Sequence, residues 1–260
     1  MNRQQIFLIA AGVLAVVLIY QLPRVVVENE TGVEVKPHDF SISTEDQSLL
    51  MSLRQQLNAV SEIKKSINFA DSLARLYLKY QMVDSADSYA ALILSLDTAG
   101  TSRLKAAMIY YQAFQMSTEP DKAVGLAQKA QEIFEELLVA DPQNSTLKNK
   151  LAMTLMVTET PMAGVQLLRE VLEQEPDNRE TILNLGLLAI RSGQFDRAKE
   201  RFEKLLEMDS TDDESLFYYG VVLSESGDTE AAKAVFGKLL NKADADPALK
   251  ATASSYIEEL

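Results

Sequence analysis

Residues 178–240 contain one pattern twice, offset by 34 positions, and a chain that repeats itself at that interval has few folds open to it. When TILNLGLLAIRSGQFDRAKERFEKLL is set over SLFYYGVVLSESGDTEAAKAVFGKLL, Gly186 falls on Gly220, Gly193 on Gly227, Ala198 on Ala232, Phe202 on Phe236 and Leu206 on Leu240. Each copy is two amphipathic stretches divided by a Ser-Gly pair, Ser192-Gly193 or Ser226-Gly227. Such a pair suits a helix that ends with glycine in the left-handed region, so each copy predicts a helix, a tight turn and a second helix. Gly186 and Ala198 are expected where the two helices approach most closely, with Phe202 filling the space beyond them.

The period extends backwards. Pro142 and Pro176 close two further units, and between them Ala152, Gly164 and Leu168 stand where the clear copies have Gly186, Ala198 and Phe202. An earlier unit aligns through Leu73-Ala74, Ala86 and Ile93. The unit at 102–142 is about seven residues too long, so its second helix must run an extra turn or two. About five repeats are expected over residues 44–260, clearest at 145–176, 179–210 and 213–244. The 34-residue helical hairpin resembles the tetratricopeptide repeat, with Leu185-Gly186, Gly193, Phe195, Ala198 and Phe202 at family positions. Ile182 and Leu216 replace the family's Trp, and Ser210 replaces one closing Pro. The resemblance implies an all-α, right-handed superhelical solenoid whose stacked hairpins share one core. A helix is expected from Thr44, with a capping box in Thr-Glu-Asp-Gln, and Asp246-Pro247 opens a capping helix over 246–260.

Composition narrows the chemistry. With no Cys, disulfides and thiolate catalysis are excluded, and the one His, His38 between Pro37 and Asp39, offers neither a triad nor a metal site. No phosphate loop, HExxH or GxSxG is present, so no catalytic residue, cofactor or metal is expected and the chain reads as a non-enzyme. The net charge is −13, and residues 1–24 hold Arg3 and Arg24 without an acid, leaving about −15 on the remainder. That surface repels phosphate backbones, which argues against nucleic acid.

Residues 6–22, IFLIAAGVLAVVLIYQL, carry no charge, and a helix of that length spans roughly 25 Å, enough for a bilayer core. A cleaved signal peptide would have a similar apolar run, but YQLPRVVVENE lacks a small-x-small cleavage pattern. The expectation is a single-pass anchor over 1–22 and a juxtamembrane stalk over 23–43. Arg3 against Arg24 barely settles orientation by the positive-inside count. The short tail before the span suggests a signal anchor that exports the repeats, placing the protein in a bacterial inner membrane with its repeats outside the cytoplasm.

On the first helix of the clear repeat, Ile182, Leu185, Gly186 and Ala189 form the stripe the hairpin must bury, yet Leu183, Leu187 and Ile190 beside it are apolar too. Equivalent positions hold Phe217, Val221 and Ser224 in the next repeat and Asn149, Met153 and Met156 in the preceding one. In the family such helices line the concave surface, so the resemblance implies an apolar groove for an amphipathic helix or extended segment, with Met153 and Met156 adapting to it. Some family members grip a terminal carboxylate with Lys and Asn from this face, and Asn149 and Asn184 hint at that here. Equally, these residues would pack successive helices and leave no groove. The function expected is a membrane-anchored scaffold for protein–protein interactions, with homo-oligomers open to it. The alternative is a chaperone-like assembly factor holding client peptides, as in bacterial proteins that accompany the secretion translocon or cytochrome c maturation.

Overall fold

A computed structural model describes residues 42–158 and 160–260. Among these, every regular element is a helix: α1 (Thr44–Ala59), α2 (Ile63–Lys79), α3 (Val83–Leu96), α4 (Gly100–Met116), α5 (Pro120–Ala140), α6 (Ser145–Leu155), α7 (Pro161–Gln174), α8 (Arg179–Arg191), α9 (Phe195–Met208), α10 (Asp213–Glu225), α11 (Thr229–Asn241) and α12 (Pro247–Glu259). The ten from α2 to α11 pair as five successive antiparallel hairpins, with α1 against the first and α12 against the last. The anchor expected at 6–22, and the stalk as far as residue 41, lie outside the described residues. Among the described residues no helix is long and apolar enough to cross a membrane.

Two of the hairpin turns are made as their Ser-Gly pairs predict. Gly193 and Gly227 have φ of 68° and 81°. Their amides reach back to Ile190 O and Ser224 O, while the next amides, of Gln194 and Asp228, reach Ala189 O and Leu223 O. That double bond pattern satisfies carbonyls the helix end leaves open, and it needs the left-handed residue at its centre. The first hairpin makes the same turn without glycine: Gln81 has φ 55°, its amide bonded to Leu78 O and that of Met82 to Tyr77 O. The N-cap of α1 falls one residue before the expected Thr44, because Ser43 and not Thr44 accepts the Asp46 amide, at 3.1 Å.

Inside the clear hairpins the glycine makes room for a ring and not for a backbone. A Cβ on Gly186 would lie 2.8 Å from Phe202 Cζ, and one on Gly220 would lie 2.5 Å from Phe236 Cε1. Phe202 and Phe236 are wholly buried, each worth about 1.5–3 kcal/mol of apolar burial. The backbone approach expected there occurs instead in the third hairpin, where a Cβ on Gly164 would come within 2.5 Å of Ala152 O. The second hairpin's long helix, α5, has 21 residues, and the third hairpin's first helix, α6, has 11.

The apolar core runs without a break from Leu50 on α1 to Leu155 at the end of α6. It resumes at Ile182 and continues to the C-terminal helix through Tyr218 and Tyr219, which touch both of the later clusters. Tyr256 of α12 stacks on Phe236, ring centres 5.5 Å apart, and covers the last hairpin. Ion pairs about one repeat apart tie neighbouring units: Lys79 to Asp46 and Lys242 to Asp213 at 2.6 Å, Lys105 to Asp71 at 3.1 Å, Arg179 to Asp212 at 2.6 Å. Exposed pairs contribute only about 0–1 kcal/mol each, so their main effect is on the register of stacking. The lysine lowers the carboxyl of Asp46 and of Asp213 below the usual range in each pair, with Tyr80 adding to it at Asp46.

Candidate protein-interaction site

The nine residues expected to line a groove do not share one surface. Asn149 and Met153 lie on α6, Leu183, Leu187 and Ile190 on α8, and Phe217, Val221 and Ser224 on α10. Asn149, Leu183, Phe217 and Val221 are buried. The first helices of successive hairpins stand side by side, so the flank of one is covered by the next, and these four side chains are packing. Leu187, Ile190, Met153 and Ser224 remain half-buried and form the part of that row that solvent reaches. Met156 leaves the row altogether, turning its methyl towards Gly164 and into a separate cleft.

Asn149 and Asn184 cannot receive a carboxylate. Asn149 is 0% exposed, and its Nδ2 donates to Thr181 Oγ1 at 2.9 Å and to Ser145 O at 3.0 Å. Its Oδ1 accepts from Asn184 Nδ2 at 3.2 Å. The three side chains make a buried polar bridge between α6 and α8 whose groups satisfy one another, as buried amides require.

The open surface with the most definite shape lies elsewhere, between the third and fourth hairpins. A cleft of about 460 Å³ opens between α7 on one side and α8, the following turn and α9 on the other. Its apolar wall is Met156, Met162, Val165, Leu185 and Leu188, and its rim carries Arg169, Arg191, Arg197 and Arg201. Met162 is 70% exposed. Leu185, expected in the hairpin's own buried stripe, is only half-buried and faces this cleft.

The equivalent junction one repeat later shows why a gap forms. There Tyr219, in the place of Leu185, donates its hydroxyl to Glu203 at 2.8 Å, while Val222 and Val235 are buried. The acid's place at the earlier junction is taken by Arg169, which a leucine cannot bond. Ala231 and Val235 are replaced by Arg197 and Arg201, whose guanidinium groups cannot be buried unpaired. The apolar closure of one junction thus becomes, 34 residues earlier, an open wall with a basic rim. Arg75, Arg103 and Arg179 each pair with a carboxylate, but the four cleft arginines pair with none among the described residues. Arg197 does donate to Gln194 Oε1, at 2.6 Å. The sequence held a signal for this site: at the 34-residue offset the four arginines stand over Glu203, Glu225, Ala231 and Val235, not one of them basic.

A tetratricopeptide repeat family model matches residues 160–205 and 189–255, the stretch holding the clear hairpins and the cleft. None of the curated proteins matches the chain. Several solved structures are similar to it. YrrB, described as a TPR protein with an unusual peptide-binding site, is 20% identical over 81% of this chain and 97% of its own, with a TM-score of 0.45. TTC0263, a thermophilic TPR protein of Thermus thermophilus, is 18% identical over 61% of this chain and 92% of its own, with a TM-score of 0.46. Acl4, an assembly chaperone of RpL4, is 15% identical over 82% of this chain and 97% of its own, with a TM-score of 0.49.

Proposed function

We propose that the protein is a scaffold that holds another protein at a membrane, with the repeats as the binding array and residues 6–22 as the anchor. The observation that carries the binding role is the repeat array itself. Its hairpins bury their polar side chains in satisfied pairs, and among the described residues no buried side-chain nitrogen or oxygen lacks a partner. Among the apolar surfaces that solvent reaches are a half-buried row at Met153, Leu187 and Ile190 and, apart from it, the cleft between α7 and α8–α9. The uncharged run at 6–22 supports a single-pass anchor, with the repeats proposed to stand on the far side of a bacterial inner membrane.

The test is site-specific crosslinking from Leu187 in native membranes. A scaffold yields a few partners in fixed ratio, whereas a mixture of exported proteins would favour a chaperone-like assembly factor. Leu187→Glu should abolish capture while circular dichroism stays unchanged; Val221→Glu would report only on folding, since that side chain is buried. Retention in membranes through carbonate washing tests the anchor, and a mature N-terminus beyond Pro23 would refute it.

A further inference from the structure

We infer that the cleft between α7 and α8–α9 binds an acidic amphipathic peptide segment, one that sets one or two large apolar side chains against Val165, Leu185 and Leu188 and presents Asp or Glu to the four arginines. This rests on the repeats being a binding array, but neither on the anchor nor on the row at Leu187.

Three observations point to that chemistry. First, the cleft is a replacement and not a packing defect: the junction one repeat on closes with Val222, Val235 and the Tyr219–Glu203 bond, and the arginines occupy the equivalents of Glu203, Glu225, Ala231 and Val235. Second, charge is complementary to an acid. In a chain of net charge −13, four guanidinium groups converge on one opening and none has a carboxylate among the described residues, whereas Arg75, Arg103 and Arg179 are paired. A guanidinium offers a planar fork that a carboxylate fits with two hydrogen bonds, and an apolar wall beside it lowers the local dielectric and strengthens them. Third, the size fits a few side chains. About 460 Å³ lies within the ~300–1,000 Å³ of small-ligand sites and is too small for a whole helix. A segment entering here is therefore read by a short run of side chains, its remainder lying over the exposed face of Met162.

An acidic segment also suits the rest of the surface. Its carboxylates are repelled by a chain of net charge −13 and attracted by the four arginines at the rim, which favours entry there. An anionic lipid headgroup would answer to the same guanidinium groups, but a net charge of −13 disfavours approach to a charged bilayer.

The experiment uses the full chain in detergent and a short labelled peptide of leucine and glutamate, with its leucine and glutamine counterpart, followed by fluorescence anisotropy. The glutamate peptide should bind, weaken with added salt, and exceed the glutamine peptide by about tenfold or more. Arg197→Glu with Arg201→Glu should abolish binding, and Arg197→Gln with Arg201→Gln should weaken it about tenfold. The glutamine pair keeps the test decisive should the glutamate pair disturb α9. Equal affinity for the two peptides, no binding of the glutamate peptide, or binding undiminished in the glutamine variant would each overturn the assignment. So would displacement of the peptide by soluble short-chain phosphatidylglycerol, which would assign the cleft to lipid. Self-association lost in the arginine variants, seen by sedimentation, would assign it to a second copy of the chain and equally overturn it. If the peptide fails while Leu187→Glu still abolishes partner capture, the scaffold stands and only the cleft assignment falls.

Discussion

Gly237→Ala and Gly220→Ala make the same chemical change on the adjoining helices α11 and α10, and they should move stability in opposite directions. Alanine in a helix interior is favoured over glycine by about 1 kcal/mol. Nothing lies within 4 Å of a Cβ added at Gly237, so that gain is kept. In a protein of this size it corresponds to about 2–4 °C in thermal midpoint. At Gly220 the added Cβ would stand 2.5 Å from Phe236 Cε1 and 2.8 Å from its Cζ, where ordinary contact begins near 3.4 Å. The ring cannot retreat, because it is fully buried and stacked on Tyr256 at 5.5 Å, with Phe217 6.1 Å away on another side. Overpacking of this kind costs about 1–3 kcal/mol, which offsets the helical gain and leaves a net loss of up to about 2 kcal/mol. Thermal and urea unfolding followed by circular dichroism would read both variants, and Phe236→Leu in the Gly220→Ala background should recover part of the loss by making room. If Gly220→Ala raises the midpoint as much as Gly237→Ala does, the glycine is not there for the ring and the packing argument is wrong. Gly125→Ala and Gly186→Ala extend the comparison, the first into open space and the second 2.8 Å from Phe202 Cζ.

Gln81→Gly should stabilise the first hairpin by about 1 kcal/mol, since a side chain at φ 55° carries a steric penalty that glycine lacks; an unchanged urea midpoint would count against the turn described. Asn149→Ala should cost about 1–3 kcal/mol by leaving Asn184 without its acceptor in a buried site, and a variant of wild-type stability would return Asn149 to the list of surface residues. Acidification should loosen the last hairpin: Lys242 holds Asp213 below its ordinary value of 3.8, so its contribution is intact above pH 3.8 and lost as pH falls through the lowered value. Lys242→Met should remove that extra acid sensitivity, measured as the change in urea midpoint between pH 5 and pH 3.

The hairpins were legible because their signals are local and repeated. Gly193 and Gly227 mark turns, and Gly, Ala and Phe recur at fixed offsets in both clear copies, so each position supports the other. What the sequence hid were relations between repeats. Asn149 looked like a surface residue because helical period alone places it on a flank, while the partners that bury it, Thr181 and Asn184, lie 32 and 35 residues away. Phe217 is hidden for a like reason: the rings against it, Phe236 and Tyr256, lie on α11 and α12 and leave no mark in its own helix's pattern. Gln81 carries no such signal, because glycine is the residue that marks a left-handed turn in a sequence. The cleft escaped because a gap is defined by side chains that fail to meet, and comparing repeats for conserved positions discards the very substitutions that open it.

The third hairpin is where these departures gather, and they have a common physical basis. Its α6 ends at Leu155, two residues short of the position equivalent to the end of α8, and the glycine turn of the later hairpins is absent. With alanine at the position of Gly186 and leucine at that of Phe202, no ring separates its two helices, so Gly164 closes against the Ala152 carbonyl. Pro161 stands where the fourth hairpin has Phe195, a partly buried member of that hairpin's core, so α7 begins without an aromatic anchor at its start. Helices drawn together inside a hairpin leave less side-chain volume reaching outward at its far end, and Met162 and Val165 are the only large apolar groups that α7 offers its neighbour there. Across from them, Arg197 and Arg201 resist burial. A repeat that packs more tightly within itself and meets a charged face beyond it opens a cleft at that junction, and the buried bridge of Asn149, Thr181 and Asn184 holds α6 to α8 across the same junction so that the opening does not part the array.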